Sequence, residues 1–330
     1  VFFFSFSFER YYAEVPWIAY RQFCEQFLGP LLLMQYRNTA LHSLQLAWPE
    51  GIPLNIIKSL LPFRSKFSLH TWLHIHLNAR ISSRENTGKQ KTVKFSEQKM
   101  LNLVSSLETL IRKLKGPQQK STWSGYYDEA ASRTDYLEAK KKIVGEWIGS
   151  LTGITTAADL GANDGAFSRL AANRGIYTIA ADFDPYCINN LYRSIKRLAE
   201  KNIQPMIIDL ANPSPAIGVN NEERSSFLSR VKTDLVMALA LIHHLAIAKN
   251  IPFGMIADLF QRTAKKYLII EFVPKTDEKI QLIKKQKKDI YIAYTEENFR
   301  IAFEKYFTVT KQQAVGSSGR ILYLMTKHEI

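Results

Sequence analysis

The stretch TAADLGANDGAFSRLA, residues 156–171, decides the fold. A short apolar run ends on Asp159, Gly161 and Gly165 follow, and the spacing then turns helical. A glycine-rich turn between a strand and a helix lets a ligand approach the backbone closely. The dinucleotide fingerprint would be G-x-G-x-x-G. Here Gly161 and Gly165 are separated by three residues, with Asn163 where the second glycine would fall and no third glycine. Asn visits the left-handed region at modest cost, so the turn stays feasible. A P-loop needs Gly-Lys-Ser/Thr, and Gly165-Ala166-Phe167 excludes it. Asp159 and Asp164 would repel a pyrophosphate and suit a cationic group.

Working outward, strands and helices alternate from residue 120 onward. ITTAADL, IYTIAADF, IQPMIIDL, TDLVMALAL and KKYLIIEFV read as strands, separated by AFSRLAANRG, PYCINNLYRSIKRLAEKN and IPFGMIADLFQRTA as helices. TEENFRIAFEKY is a further helix, and FTVTKQQAVGSSGRILYLMTK reads as two strands around a turn. The pattern predicts an α/β fold: a doubly wound, Rossmann-like sheet with a terminal antiparallel hairpin. In such sheets ligands bind beyond the carboxyl ends of the strands. Asp159, Asp182, Asp209 and the residues after Leu239, beginning with Ala240, stand at those ends.

Residues 1–115 read as a mostly helical N-terminal domain, and residues 116–330 as the domain that holds the turn. In the first, WIAYRQFCEQFLGPLLLMQYRN has helical spacing with an expected interruption at Gly29-Pro30. MLNLVSSLETLIRKLK is a clean amphipathic helix, and SSRENTGKQKTVKFSEQK is a polar, basic linker. The alternating Phe2, Phe4, Phe6 and Phe8 suggest a strand, and a chain that opens in this way without Met reads as a fragment. The opening lacks the features of a signal peptide, and no apolar run approaches a bilayer-spanning length.

Lys and Arg number 44 against 30 Asp and Glu, a net charge of +14. Residues 1–115 hold 15 basic and 7 acidic side chains, so the excess is spread rather than gathered in one tail. No nucleic-acid module accompanies it, which favours a solvated basic surface over RNA binding. Two cysteines, Cys24 and Cys187, make no disulfide framework and suit a reducing, cytoplasmic setting.

The acidic strand end followed by LGANDG resembles the first motif of the class I methyltransferases. The resemblance covers about residues 120–330, including the terminal hairpin. It implies S-adenosylmethionine as cofactor. Asp159 would then hold the methionine amino group, with the backbone from Gly161 through Asn163 to Gly165 beneath the methionine part. Asp182 would take the ribose hydroxyls and Asp209 would lie at the adenine. DLGANDGAFSRLA, NPSPAIG, ALALIHHL and IIEFVPKTD together resemble a bacterial branch of these enzymes, some of whose members are labelled nodulation-related. That resemblance extends into residues 5–35.

Methyl transfer is an in-line displacement at a carbon already activated by the sulfonium, so the protein supplies alignment and desolvation. A base is needed when the acceptor must lose a proton. At the end of the fourth strand His243 and His244 are the candidates, since the Asn/Asp-Pro-Pro-aromatic motif of amine methylators is absent there. Glu271, ending YLIIE, is a third catalytic candidate, free to orient His243 or to pair with Lys275. No metal site is expected: two His with one Glu are too sparse, and His70, His74 and His76 lack a nearby carboxylate or cysteine. Tyr126 and Tyr127 are candidates to stack over the cofactor, and Arg224 and Arg230 to meet an anionic acceptor.

The expected partner is a methyl acceptor, a small molecule ahead of RNA, with no membrane. The competing reading is a non-catalytic cofactor-binding module whose basic surface binds nucleic acid or a protein.

Overall fold

Runs that are apolar on both faces recur from residue 156 onward, and the computed structural model pairs them into one seven-stranded sheet. It describes residues 15–82, 95–116, 134–284 and 292–329. The chain divides into two compact units, Val1–Gln118 and Gln119–Ile330.

The sheet comprises β1 (Thr156–Leu160), β2 (Tyr177–Asp182), β3 (Ile203–Ile207), β4 (Thr233–Ala238), β5 (Ala264–Phe272), β6 (Phe307–Ala314) and β7 (Ile321–Lys327). Their order is β3-β2-β1-β4-β5-β7-β6. β1 to β5 pair in parallel, while β7 runs antiparallel between β5 and β6, with Ile269 opposite Leu324 and Val309 opposite Met325. The order reverses at β1, where the chain crosses from β3 to β4, and that crevice is where a doubly wound sheet takes its ligand. The expected α/β fold and its terminal hairpin are the ones observed.

Among the described residues the helices of seven or more residues are α1 (Gly29–Tyr36), α2 (Leu54–Leu60), α3 (Glu97–Lys113), α4 (Thr134–Ser150), α5 (Ala166–Ala172), α6 (Pro185–Leu198), α7 (Phe253–Thr263), α8 (Glu278–Lys284) and α9 (Glu296–Glu304). Strand residues alternate between two cores, as the period of two requires. Val236, Ala238, Leu268, Ile270, Tyr323 and Met325 join Phe260 of α7 and Phe299 and Phe303 of α9. Leu235, Met237, Ile269, Leu322 and Leu324 join Ile143, Val144 and Trp147 of α4 and Phe167 of α5. Phe260, Phe299, Phe303 and Phe307 are fully buried, each worth about 1.5–3 kcal/mol of transfer free energy.

Opposite the ligand end, buried Asp234 pins the start of β4 to the start of β1. Its Oδ2 accepts from the amides and hydroxyls of both Thr155 and Thr156 at 2.9–3.1 Å. Burial works to raise its pKa, but these donors win and pull it down to about 2.

In the N-terminal unit the expected interruption at Gly29-Pro30 does not occur. Tyr20–Phe23, the π-turn Cys24–Leu28 and α1 follow one another without a gap. Pro30 cannot donate to the carbonyl of Gln26 four residues back, and the wider turn lets its ring pass. The carbonyl left over accepts from Gln45 Nε2 at 2.5 Å. His74 bridges Tyr20 Oη (2.7 Å) and Ser106 Oγ (2.8 Å), His70 reaches the same Ser106 Oγ at 2.8 Å, and His76 meets Ser65 Oγ at 2.8 Å. These histidines tie helices together. The alternating Phe2 to Phe8, the polar linker around residues 83–94 and Tyr126 and Tyr127 lie outside the described residues.

Candidate functional site

The glycine turn is shaped by three left-handed residues in a row of five: Gly161 (φ +85°), Asn163 (φ +49°) and Gly165 (φ +81°). Gly165 is fixed by space as well as by φ, because a Cβ there would lie 2.7 Å from Leu191 Cδ1. The amides of Gly161 and Ala162 both donate to the Ala181 carbonyl, which closes the turn against the end of β2.

Around this turn lies a cleft of about 420 Å³, wholly within the second unit. Asp159, Asp182 and Asp209, from three neighbouring strand ends, line it together with Gly161, Asn163 and Ala240. Asp159 is buried and accepts from Ser168 Oγ at 2.6 Å. Burial raises its pKa to about 6, against the pull of Ser168 and Lys140. Asp182 accepts one backbone amide on each oxygen, Asn163 at 2.9 Å and Asp184 at 2.9 Å, so the turn and the start of α6 hold it in place. Burial raises its pKa as well. Asp209 is half-exposed, accepts the Ala211 amide at 2.9 Å, and lies 3.7 Å from Lys249 Nζ. Gly165 shapes the turn without lining the cleft.

The structure separates the three catalytic candidates. His244 lines the cleft, beside Leu241, Leu245 and Ala248. His243 is fully buried off the cleft, its ring packed at a 41° tilt against His244 with 4.0 Å between centroids, and neither of its nitrogens has a hydrogen-bond partner among the described residues. Both histidines are held neutral. Burial lowers the His243 pKa well below its ordinary value, and burial with the charges of Arg320 and Lys279 brings His244 to about 4. Neither is the near-neutral base that the sequence suggested.

Glu271 is fully buried at the end of β5, and its hydrogen bonds go to α4 and to the end of β4. Its Oε2 accepts from Lys140 Nζ at 2.5 Å and from the Ala240 amide at 2.7 Å, and its Oε1 from Tyr136 Oη at 2.5 Å. Arg320, at the mouth of the β6–β7 turn, grips Asp277 through Nε (2.8 Å) and Nη2 (3.1 Å) and donates to Tyr136 Oη at 2.9 Å. Lys140 and Arg320 therefore hold the Glu271 carboxyl below its ordinary value despite its burial. The pairing joins α4, β5 and the β7 hairpin, and Tyr136, Lys140 and Arg320 form part of the cleft wall.

Sequence reasoning missed Lys140, Tyr136, Arg320 and Asp277. One signal was readable: Tyr136 and Lys140 fall on the apolar face of α4 with Val144 and Trp147, at spacings that place a lysine in a core. Arg224 and Arg230, expected near the acceptor, are exposed and outside the cleft lining.

No family model matches the chain. Over 325 residues it is 33% identical to nodulation protein NoeA of Rhizobium meliloti (strain 1021), a match covering 95% of this chain and 67% of that protein. Among solved structures it is similar to magnesium protoporphyrin IX methyltransferase from Synechocystis PCC 6803 with bound SAH, at 16% identity over 68% of this chain and 95% of that one, TM-score 0.42. It is also similar to the N-methyltransferase NodS from Bradyrhizobium japonicum WM9 in complex with S-adenosyl-L-homocysteine, at 11% identity over 63% of this chain and 100% of that one, TM-score 0.44. The relation to NoeA agrees with the nodulation-related branch to which LGANDG, ALALIHHL and IIEFVPKTD point, and the chain belongs to the NoeA family.

Proposed function

We propose that the cleft binds S-adenosylmethionine and that the chain is a methyltransferase acting on a small-molecule acceptor. One observation carries this reading: three carboxylates from consecutive strand ends, Asp159, Asp182 and Asp209, line one cleft beside a glycine turn that has no phosphate-binding residue. Such carboxylates suit a ligand with an ammonium group and ribose hydroxyls. Asp159 fits this role best, since a buried carboxyl with a pKa near 6 gains most from a cationic partner.

When bound, the cofactor supplies a methyl group already activated by its sulfonium. Asp159 holds the ammonium, and the backbone at Gly161 approaches closely because glycine has no side chain to project there. Asp182, fixed by the amides of Asn163 and Asp184, keeps lone pairs for two hydroxyls, and Asp209 marks the adenine end. The Ala240 amide is taken by Glu271, so Ala240 serves through its turn rather than as a donor to the cofactor. Leu241, Leu245 and Ala248 exclude water from the reaction space.

His244, neutral at physiological pH, accepts a hydrogen bond from the acceptor and aligns it. A pKa near 4 makes it an orienting group, which favours an acceptor with a lone pair already available over an unactivated hydroxyl. Glu271 acts as a positioning residue through Lys140 and the Ala240 turn.

Titration calorimetry with S-adenosylmethionine and with its demethylated product tests the cofactor. Binding of neither rejects the reading. An untargeted search for metabolites that gain a methyl group in the presence of the protein then identifies the acceptor.

A further inference from the structure

Residues 51–84 contain five Lys or Arg and no Asp or Glu. Inside this run the short helix Phe63–Phe67 turns two rings outward: Phe63 is 69% exposed and Phe67 80%. Their centroids are 5.6 Å apart with the rings edge to face, so they form one apolar knob rather than two scattered side chains. Leu69, 71% exposed, follows two residues later. Isolated exposed apolar side chains are ordinary, whereas a contiguous patch marks an interaction surface.

The knob borders a hollow of about 410 Å³ whose lining includes Asn55, Lys58, Ser59, Phe63 and Lys66. Lys66 Nζ lies 4.7 Å from the centre of the Phe63 ring, its stem along the aromatic face. Neighbouring His76 registers the same local field. Burial lowers its pKa first, and Lys66, Lys58 and Arg80 each lower it further. The patch is thus an apolar prominence beside lysines with no acid of their own segment to offset them.

Composition decides between the partners such a surface admits. Lysine is depleted at protein–protein interfaces relative to the remaining surface, and Arg is the cation enriched there. Phe and Leu beside Lys is instead the make-up of elements that lie in a bilayer interface, where rings enter the acyl boundary and lysines snorkel to headgroups. Each lysine close to an anionic leaflet adds to that attraction within a Debye length.

We propose that this face docks on an anionic lipid bilayer, with Phe63 and Phe67 entering the interface and Lys58 and Lys66 meeting headgroup phosphates. The attachment is peripheral: among the described residues no helix is long and apolar enough to cross a membrane. Nothing in it depends on the cleft or on its ligand.

The test is flotation of the full chain with two kinds of vesicle: pure phosphatidylcholine, and phosphatidylcholine with about one-quarter phosphatidylglycerol. The chain is expected to float with the mixed vesicles, at least about tenfold more than with the neutral ones, and to be released by molar salt. Phe63→Ser with Phe67→Ser, and separately Lys58→Gln with Lys66→Gln, are each expected to weaken flotation by about tenfold or more. Circular dichroism confirms that each variant is folded. The second pair leaves the rings in place, so loss in both shows that rings and charges act together. Absence of flotation, equal flotation with both vesicles, or unaltered flotation of the folded ring variant overturns the proposal. So does a dimer in sedimentation that the ring variant abolishes, since the patch would then belong to a second copy of the chain.

Discussion

The Glu271 carboxylate accepts the Ala240 amide at 2.7 Å through the same oxygen that Lys140 approaches at 2.5 Å. One buried group therefore balances a cation of α4 and fixes the backbone where β4 ends. Breaking one side of a buried ion pair leaves a charge without compensation and costs about 3–5 kcal/mol. Glu271→Gln is expected to lower unfolding stability by about that much in urea titration. Adding Lys140→Met is expected to restore part of it, because the stranded charge is removed. A double variant no more stable than Glu271→Gln would contradict this pairing.

Ala240 adopts φ +51°, a left-handed conformation that a residue with a Cβ takes at a cost of about 1–2 kcal/mol. Ala240→Gly is expected to leave the fold unchanged and to alter stability by no more than about 1 kcal/mol, relief of strain offsetting added freedom in the unfolded chain. Ala240→Val is expected to be clearly destabilising and to weaken cofactor binding. Thermal unfolding and calorimetry on the two variants measure both effects.

The histidine pair separates structure from function. His243→Leu removes a buried ring with no hydrogen-bond partner among the described residues, so stability is expected to stay within about 1 kcal/mol or to rise. His244→Ala is expected to preserve cofactor binding and to lower methyl transfer. Both rings have folded pKa values below the ordinary histidine value, so the unfolded chain binds the extra protons on acidification. Stability they support is present above about pH 6.5 and is lost as pH falls toward 4, and His243→Leu is expected to flatten that loss. Unfolding free energies measured across this window decide it.

Asp159 titrates in the opposite sense. Its folded pKa of about 6 lies above the unfolded value, so the native state favours its neutral form, and the stability this gives fades as pH rises through 6. Cofactor binding through its carboxylate is expected to weaken about tenfold from pH 7 to pH 5, as the ionised fraction falls. Asp159→Asn is expected to bind more weakly at neutral pH and to show a flatter profile. Calorimetry at several pH values reads both.

Asp234 lies at the far end of the sheet and is expected to influence stability alone. With four donors and a pKa near 2, its contribution is present above about pH 4 and disappears as pH falls toward 2. Asp234→Ala is expected to cost about 2–3 kcal/mol near neutral pH and to leave the cofactor affinity of the folded protein unchanged. Denaturant titration with a parallel binding measurement separates the two.

The parallel sheet was legible because each strand run carries two-sided apolar patterning and ends in a turn residue or an acid. The same grammar placed Asp159, Asp182 and Asp209 at one cleft, since strand ends in a doubly wound sheet converge. Lys140 and Arg320 were hidden for a related reason. Their partners Glu271 and Asp277 lie far away in sequence, and only the assembled hairpin brings them together. The histidine chemistry was also illegible, because a side chain's pKa depends on burial that adjacent positions 243 and 244 do not share. Gly29-Pro30 misled as a helix breaker because the wider turn at Cys24–Leu28, with Gln45 on the spare carbonyl, is a tertiary solution to a local problem.

The antiparallel insertion of β7 has a consequence for how the molecule is made. Of the seven strands β7 is the last in chain order, yet it occupies an interior position, between β5 and β6. Until it arrives, β5 and β6 each present a bare strand edge, open to pairing with other chains. Arg320 emerges with it, so the last wall of the cleft and the last seam of the sheet are completed together. A nascent chain stalled before residue 320 would be both unready to bind and prone to aggregate.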